Sequence, residues 1–97
     1  MSVNVVLEIK AQPDQAANVI EFFRKALPAT RAYDGFESLT LHQDQDDPSA
    51  FLIWEQWVTR RHYEAYLAWR TESGTLDELV QMLDGPPSFR FLDFVGA

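Results

Sequence analysis

The sequence predicts an α+β fold, because stretches with strand periodicity and stretches with helical periodicity follow one another in the order β-α-β-β-α-β. Short runs of alternating or continuous apolar side chains, typical of strands, occupy residues 3–10, 36–44, 50–58 and 88–95. Only a few polar residues separate the middle two strands, which predicts an antiparallel hairpin. This order is that of a ferredoxin-like sheet with both helices packed on one face.

The first helix is predicted over residues 13–33. Pro13 suits the first turn of a helix, and Asp14 favours its positive end. Apolar residues then recur at helical spacing, namely Ala16, Ile20, Phe23 and Leu27. Pro28 lies inside this pattern, so it is expected to kink the helix or to break it before residue 29.

The second helical region has its own boundary signals. The turn of the hairpin is predicted at residues 46–49, which are Asp, Asp, Pro and Ser. Thr59 is the expected N-cap of the second helix, and Gly74 is expected to end it. Thr75 and Glu78 then have the spacing of a capping box, which predicts a further helical piece.

Both faces of the predicted sheet carry large apolar side chains. On the third strand, Phe51, Ile53 and Trp57 occupy one face, and Leu52 and Trp54 occupy the other. Two helices cover a single face, so the other face would expose a contiguous apolar patch to water. A two-fold dimer that packs sheet against sheet covers this patch, and we therefore expect a homodimer.

Length and composition narrow the classes of function. The 97 residues fit a single domain, residues 1–97. The chain has no cysteine, which excludes disulfides and favours a reducing, cytoplasmic location. A net charge of −7 disfavours nucleic acid as a partner, and no apolar run approaches the roughly 20 residues of a membrane span. His42 and His62 lack the spacing of metal ligands, so no metal site is expected.

Four segments of the chain are informative through their residues and their order: TRAYDGF at residues 30–36, DDPSAF at 46–51, WEQW at 54–57 and RHYEAYL at 61–67. In this order they resemble the antibiotic biosynthesis monooxygenase family over nearly the whole chain. The resemblance implies a dimeric α/β barrel, in which two ferredoxin-like protomers pack their sheets face to face. Some members of the family oxygenate polycyclic phenols or quinols without metal, flavin or haem, so the resemblance implies no cofactor.

The resemblance also implies site residues. In the aromatic-polyketide monooxygenases of the family, the substrate is linked to a strand-end Trp, a Tyr six positions later and an Asn four positions earlier. Trp57 and Tyr63 match the first two, whereas Ile53 occupies the Asn position and a later Arg falls near Asp77. The haem-degrading members resemble this chain at Trp57 only, and we reject haem degradation.

Oxygenation of a phenol requires an apolar cavity with aromatic walls, a donor for the developing oxyanion and a base. We expect Trp57 and Tyr63 to orient the substrate and to stabilise its anion. We expect His42 to accept the proton. The other residues expected at the substrate are Trp54, Tyr66 and Arg31.

The leading hypothesis is therefore a cofactor-independent monooxygenase acting on a small aromatic or quinol. The alternatives are a non-catalytic dimeric module that binds a small hydrophobic ligand, and an isomerase or decarboxylase on the same barrel. Each candidate also has a structural interpretation: Trp57 as core, His42 as interface packing and Arg31 as a helix cap. Glu55 and Glu8, on adjacent strands, are interpreted as solvated or ion-paired acids, or else as paired carboxylates.

Overall fold

A four-stranded antiparallel sheet forms the centre of the computed structural model, which describes residues 2–97 and so leaves Met1 of the predicted domain outside the described residues. Helices cover one of its faces. The elements are β1 (Val3–Lys10), α1 (Ala16–Arg31), β2 (Phe36–Gln43), β3 (Ala50–Trp57), α2 (Arg60–Glu72), α3 (Thr75–Val80) and β4 (Ser88–Leu92). The strand order is β2-β3-β1-β4, and every neighbouring pair is antiparallel. The predicted ferredoxin-like α+β fold is confirmed.

The pairing of β1 with β3 decides which side chains face the helices. Val5 lies opposite Glu55, and Leu7 lies opposite Ile53. Because successive side chains point to opposite faces of a strand, the odd-numbered residues of both strands lie under the helices. One part of the core surrounds Leu7 and Ile53, and a second part surrounds Val5 and Trp57.

The other side of the sheet, here called the open face, carries the even-numbered residues of β1, β3 and β4 and, in β2, those from Ser38 onward, because a bulge after Phe36 turns that ring to the helix side. Trp54 is 44% exposed there, and Leu92 is 37% exposed. Beyond β4, Phe94 and Val95 are 80% and 85% exposed. The single chain therefore leaves a group of large apolar side chains in contact with water, as the strand patterns predict.

The first helix differs from its prediction at both ends. Asp14 has a φ of 72°, which a right-handed helix does not permit, so the helix begins after Gln15 rather than at Pro13. Pro28 does not break α1, which continues to Arg31. A proline in the last turns removes only one backbone donor, and the Pro28 carbonyl still accepts a hydrogen bond from the Ala32 N–H at 3.2 Å.

Two further boundaries are corrected. The predicted capping box is wrong, because Gly74 occupies the N-cap position with a φ of 80° and Thr75 is already the first residue of α3.

The last strand ends at Leu92 and not at residue 95. Within residues 2–97, β4 pairs with β1 alone, and the pair Asn4–Leu92 is the last in their register. The Thr59 N-cap is confirmed, since its hydroxyl accepts the His62 N–H.

Within residues 2–97, no helix combines the length and the hydropathy needed to cross a bilayer.

The turn before β2 depends on a glycine. Gly35 has a φ of 90°, and a Cβ built there would lie 2.4 Å from Cγ of His62. We expect Gly35→Ala to lower the free energy of unfolding by about 2 kcal/mol or more, because backbone strain and a steric clash combine. Urea unfolding at a fixed protein concentration measures this loss.

Gly74→Ala is the matched control. Gly74 has a φ of 80°, but a Cβ at this position would have no neighbour within 4 Å, so this variant should lose only about 1 kcal/mol through strain. Equal losses in the two variants would show that the contact with His62 has no energetic role.

Candidate active site

A buried hydrogen bond joins two side chains at the end of β3. Glu55 and Trp57 are two residues apart, so the alternation of the strand places both under the helices. Trp57 is fully buried and Glu55 is 3% exposed. The Trp57 indole Nε1 donates to Oε1 of Glu55 at 3.1 Å, which gives the buried carboxyl a polar partner inside the core.

Aromatic rings surround the Trp57 indole. The ring centroids of Tyr66, Tyr63 and Phe36 lie 4.9, 5.5 and 5.5 Å from that of Trp57. Tyr33 lies at 6.3 Å and itself stacks on the ring of the half-exposed Trp69. These distances are typical of favourable aromatic pairs, so the indole is held on several sides.

A small cavity lies beside this cluster, between the sheet and the helices. Its volume is about 50 Å³. Most of its wall is apolar and comes from β1, β2, β4 and the three helices. Its polar members are Thr30, Glu55, Tyr63, Tyr66, Arg70 and Thr75. The cavity therefore brings a buried acid, two phenols and a guanidinium to the edge of one apolar space.

Arg70 closes one side of this cavity through contacts with α1. Its Nε donates to the Tyr66 hydroxyl at 3.0 Å. Its Nη2 donates to the Ala26 carbonyl at 2.9 Å and to Oγ1 of Thr30 at 3.1 Å. The Tyr66 hydroxyl and Thr30 Oγ1 are 2.7 Å apart, so all four groups form one network.

Burial dominates the electrostatics of the site. It raises the pKa of the Glu55 carboxyl to about 7, although the hydrogen bond from Trp57 acts in the opposite direction. Burial also raises the pKa of the Tyr63 hydroxyl above its usual value, and the negative charges that Glu55 and Tyr66 can carry raise it further. At neutral pH, Glu55 exchanges between its two forms while Tyr63 stays protonated.

The structure brings together three of the residues expected at the substrate, namely Trp57, Tyr63 and Tyr66. It does not bring the others to them. Trp54 lies on the open face, where its Nε1 donates to Oδ1 of Asn4 at 3.1 Å. His42 lies on the same face and contacts Oγ1 of Thr40 at 2.8 Å.

Of the remaining charged candidates, Arg31 and Glu8 are separate from the cavity. Arg31 is exposed in the last turn of α1. The interpretation of Glu55 and Glu8 as paired carboxylates is wrong, because they occupy opposite faces of the sheet. Glu8 instead lies 3.6 Å from Arg90 on the open face. Across residues 2–97, no three His, Asp or Glu side chains are grouped closely enough to hold a metal ion.

Two residues of the site were missed as functional candidates in the sequence. Glu55 has the same strand parity as Ile53 and Trp57, so the period of two already indicated that it points inward. Arg70 follows Tyr63 by seven residues and Tyr66 by four, which is the spacing of one helix face. The periodicity of the strand and of the helix therefore indicates both positions, provided that it is given more weight than the charged character of the side chains.

Comparisons with known proteins agree with this architecture. The sequence profile of the antibiotic biosynthesis monooxygenase family matches residues 2–73. Among curated protein sequences, none matches the chain.

Solved structures of similar fold are numerous. A crystal structure of an antibiotic biosynthesis monooxygenase is 19% identical, with 96% of this chain and 98% of the other covered and a TM-score of 0.84. The Rv0793 protein of Mycobacterium tuberculosis is 18% identical, covers 100% and 98% and has a TM-score of 0.85. A variant of SnoaB, a cofactor-independent oxygenase from Streptomyces nogalater, is 14% identical, covers 99% and 95% and also has a TM-score of 0.85.

At these identities the structures establish the fold, whereas the profile match spans more than half of the chain. The chain belongs to the antibiotic biosynthesis monooxygenase family.

Proposed function

We propose that this protein is a cofactor-independent monooxygenase whose substrate, a small aromatic phenol or quinol, binds in the cavity beside Trp57 and loses a proton to Glu55. The observation that carries the proposal is the buried Glu55 carboxyl, held by the Trp57 indole at the edge of an aromatic-walled cavity. Family membership supports the reaction class. The likeness in fold to a cofactor-independent oxygenase supports the suitability of this scaffold for such chemistry.

The reaction needs little beyond a base and a site that stabilises an anion. For an anthrone-type substrate, a ring CH₂ group and O₂ become C=O and H₂O. The carbon loses a proton to Glu55, and the resulting carbanion transfers one electron to O₂. The two radicals combine to a peroxide at that carbon, which takes the proton back from Glu55. Loss of water, with the second hydrogen of the carbon, then gives the ketone.

The residues of the cavity have distinct roles in this scheme. An acid whose pKa is about 7 is well matched to proton transfer at neutral pH, because both of its forms are populated. Tyr63 remains protonated and donates a hydrogen bond to the developing oxyanion. Trp57 fixes the Glu55 carboxyl through its indole Nε1. The aromatic surface that the substrate ring would meet comes from Phe22, Phe23 and Phe89, together with the two tyrosines.

The size of the cavity limits the substrate. A volume of about 50 Å³ is far below the roughly 300–1,000 Å³ of pockets that bury a drug-sized ligand. A ring enters only if the helical wall moves away from the sheet. The six-residue helix α3, which contributes Leu76 and Leu79 to the wall, is the shortest helix within residues 2–97 and the natural part to move.

Assembly as a homodimer through the open face belongs to this proposal. The exposed Trp54 and Leu92 lie on the face that the helices leave uncovered, and Phe94 follows just after β4. A sheet-to-sheet dimer would bury these side chains and complete a barrel of two protomers.

A second candidate is favoured by one observation. Ile53, which occupies the position of the Asn implied by the resemblance, is fully buried and cannot donate a hydrogen bond to a substrate. A binding module for small hydrophobic ligands, or an isomerase or decarboxylase that uses Glu55 alone, needs no donor at this position. Oxygen consumption distinguishes the oxygenase from all three, because none of them consumes O₂.

Sedimentation tests whether the open face forms the interface of a dimer. The wild-type protein should sediment as a dimer at micromolar concentration, and Trp54→Arg should shift it to the monomer, because two charges would be buried at the two-fold interface. Val80→Arg is the control, since Val80 has a similar exposure of 38% but lies on α3 in the helix layer. A folded wild-type monomer at these concentrations would contradict the dimer.

The role of Glu55 is tested by oxygen uptake with anthrone and 1-naphthol in metal-free buffer. We expect Glu55→Gln to lower kcat/KM by roughly 100-fold or more, within the range of general-base catalysis. The substitution keeps an acceptor for the Trp57 indole. The wild-type kcat/KM should rise with pH through an apparent pKa of about 7, because the carboxylate is the active form.

Two further variants identify the base. Glu37→Gln makes the same change at an exposed position of β2 and should leave the rate unchanged. His42→Gln should also leave it unchanged, since His42 lies on the open face. Loss of activity in His42→Gln, but not in Glu55→Gln, would move the base to the other side of the sheet. No oxygen uptake by the wild type with either substrate would overturn the oxygenase proposal.

The buried carboxyl also makes stability depend on pH. The folded-state pKa of about 7 lies above the unperturbed value of 4.5, so the folded protein binds more protons between these values and loses stability as pH rises. Gln is neutral at every pH. Glu55→Gln should therefore become more stable than the wild type above pH 7, by roughly 3 kcal/mol at most, and should differ little near pH 4.5.

Urea unfolding from pH 4.5 to 8.5, at one protein concentration, checks this prediction. The difference between variant and wild type removes the contribution of the other titrating groups, and Glu37→Gln should show no such trend. A difference that stays constant with pH would mean that Glu55 is not buried as a neutral acid.

A further inference from the structure

The guanidinium of Arg70 is held in one position by uncharged partners. Its three hydrogen bonds go to the Tyr66 hydroxyl, the Ala26 carbonyl and the Thr30 hydroxyl. Its carbon also lies 4.5 Å above the centroid of the Trp69 ring. These contacts fix the plane of the fork, because three bonds and one stacked face leave the side chain little freedom.

No carboxylate neutralises this cation within residues 2–97. The ion pairs of that range involve Lys10, Arg24, Arg60, His62 and Arg90, and Arg70 takes part in none of them. The side chain is only half-exposed. A partly buried charge normally has a partner of opposite sign. The chain has a net charge of −7, yet none of its carboxylates within residues 2–97 pairs with Arg70.

Arg70 lines the cavity and keeps one nitrogen without a hydrogen bond. The three hydrogen bonds use Nε and Nη2, and none of them uses Nη1. Arg70 lines the same space as Glu55 and Tyr63, together with Thr30 and Tyr66. A ligand in that space would therefore meet a fixed cation with unused donors at one side and the buried acid at another.

Resting on the proposal that an aromatic ring occupies the cavity, we propose that Arg70, positioned by Tyr66 and Thr30, binds a carboxylate on that ring, so that the substrate is an aromatic acid. The two N–H groups of Nη1 are left to donate to a ligand, and hydrogen bonds from a charged guanidinium to a carboxylate are stronger than those to a neutral phenol or alcohol. A role limited to joining α1 and α2 is met by the bonds to the Ala26 carbonyl and to Thr30, which both belong to α1. It does not require an uncompensated charge beside the cavity.

The test compares two ligands that differ only in the anionic group. Salicylate and 2-hydroxybenzyl alcohol have the same ring and the same phenol, and calorimetric titration of the full chain under anaerobic conditions measures both affinities without turnover. We expect the wild type to bind salicylate at least tenfold more tightly. This preference should fall as salt is raised, whereas the affinity for the alcohol should not change.

Substitutions of arginine residues test whether Arg70 causes the preference for salicylate. Arg70→Gln should reduce the preference for salicylate to less than about threefold and leave the affinity for the alcohol unchanged. Arg61→Gln makes the same change at an exposed position of α2 and should keep the wild-type preference. Arg70→Lys keeps the charge without the planar fork, so it should retain an intermediate preference, and it serves if Arg70→Gln does not fold.

Three results would overturn the inference. They are equal affinity of the wild type for both ligands, an undiminished preference in Arg70→Gln or Arg70→Lys, and no binding of either ligand at millimolar concentration. Glu55→Gln should keep the full preference for salicylate, because it leaves Arg70 untouched. Failure of the oxygenase proposal, measured by oxygen uptake, is therefore distinguishable from failure of this one.

Discussion

The hydrogen bond between the Trp57 indole and the Glu55 carboxyl is the contact on which the site depends. It places an ionisable group in the core, where an acid without a partner would cost several kcal/mol. The bond lies within one strand, so its geometry follows from the pleat and requires no precise docking of distant elements. The rings of Phe36, Tyr63 and Tyr66 then enclose the indole, and their packing keeps water away from the acid. The same enclosure raises the pKa of Glu55.

Most of the correct predictions about the fold rested on the two-residue periodicity of the strands. The alternation separated Phe51, Ile53 and Trp57 from Leu52 and Trp54 on β3, and the structure puts the first group under the helices. The fold followed from four such patterns and a short hairpin. Glu55 has the same parity, yet its chemistry suggested a solvated acid, since single acids on strands usually are. Its burial becomes favourable only with the indole two residues away and the tyrosines of α2 above it, and the second of these is a tertiary contact.

Two features of the helices could not be predicted from local sequence signals. Pro28 was expected to kink α1 or to break it, because a proline removes a backbone donor, but α1 continues to Arg31 and a residue of α2 contacts the turn that contains Pro28. Arg70, 44 residues from Ala26, donates to its carbonyl, and Thr30 donates to the same oxygen. Such a contact has no signature within a window of sequence. Arg70 was overlooked for the same reason: its position on the face of Tyr63 and Tyr66 was visible, whereas its docking onto α1 depends on how the helices cross the sheet.

The small volume of the cavity and the raised pKa of Glu55 have one cause. A wide, hydrated pocket would solvate the carboxylate and return its pKa towards the ordinary value, which would leave a weaker base. A substrate that admitted water would have the same effect. The base therefore retains its strength only if the entering ring replaces the displaced wall and keeps water out, which favours a flat, apolar ring that fits closely. A polar group on that ring must then lie where the site is already polar and half-exposed, and Arg70 is the cationic member of the cavity wall.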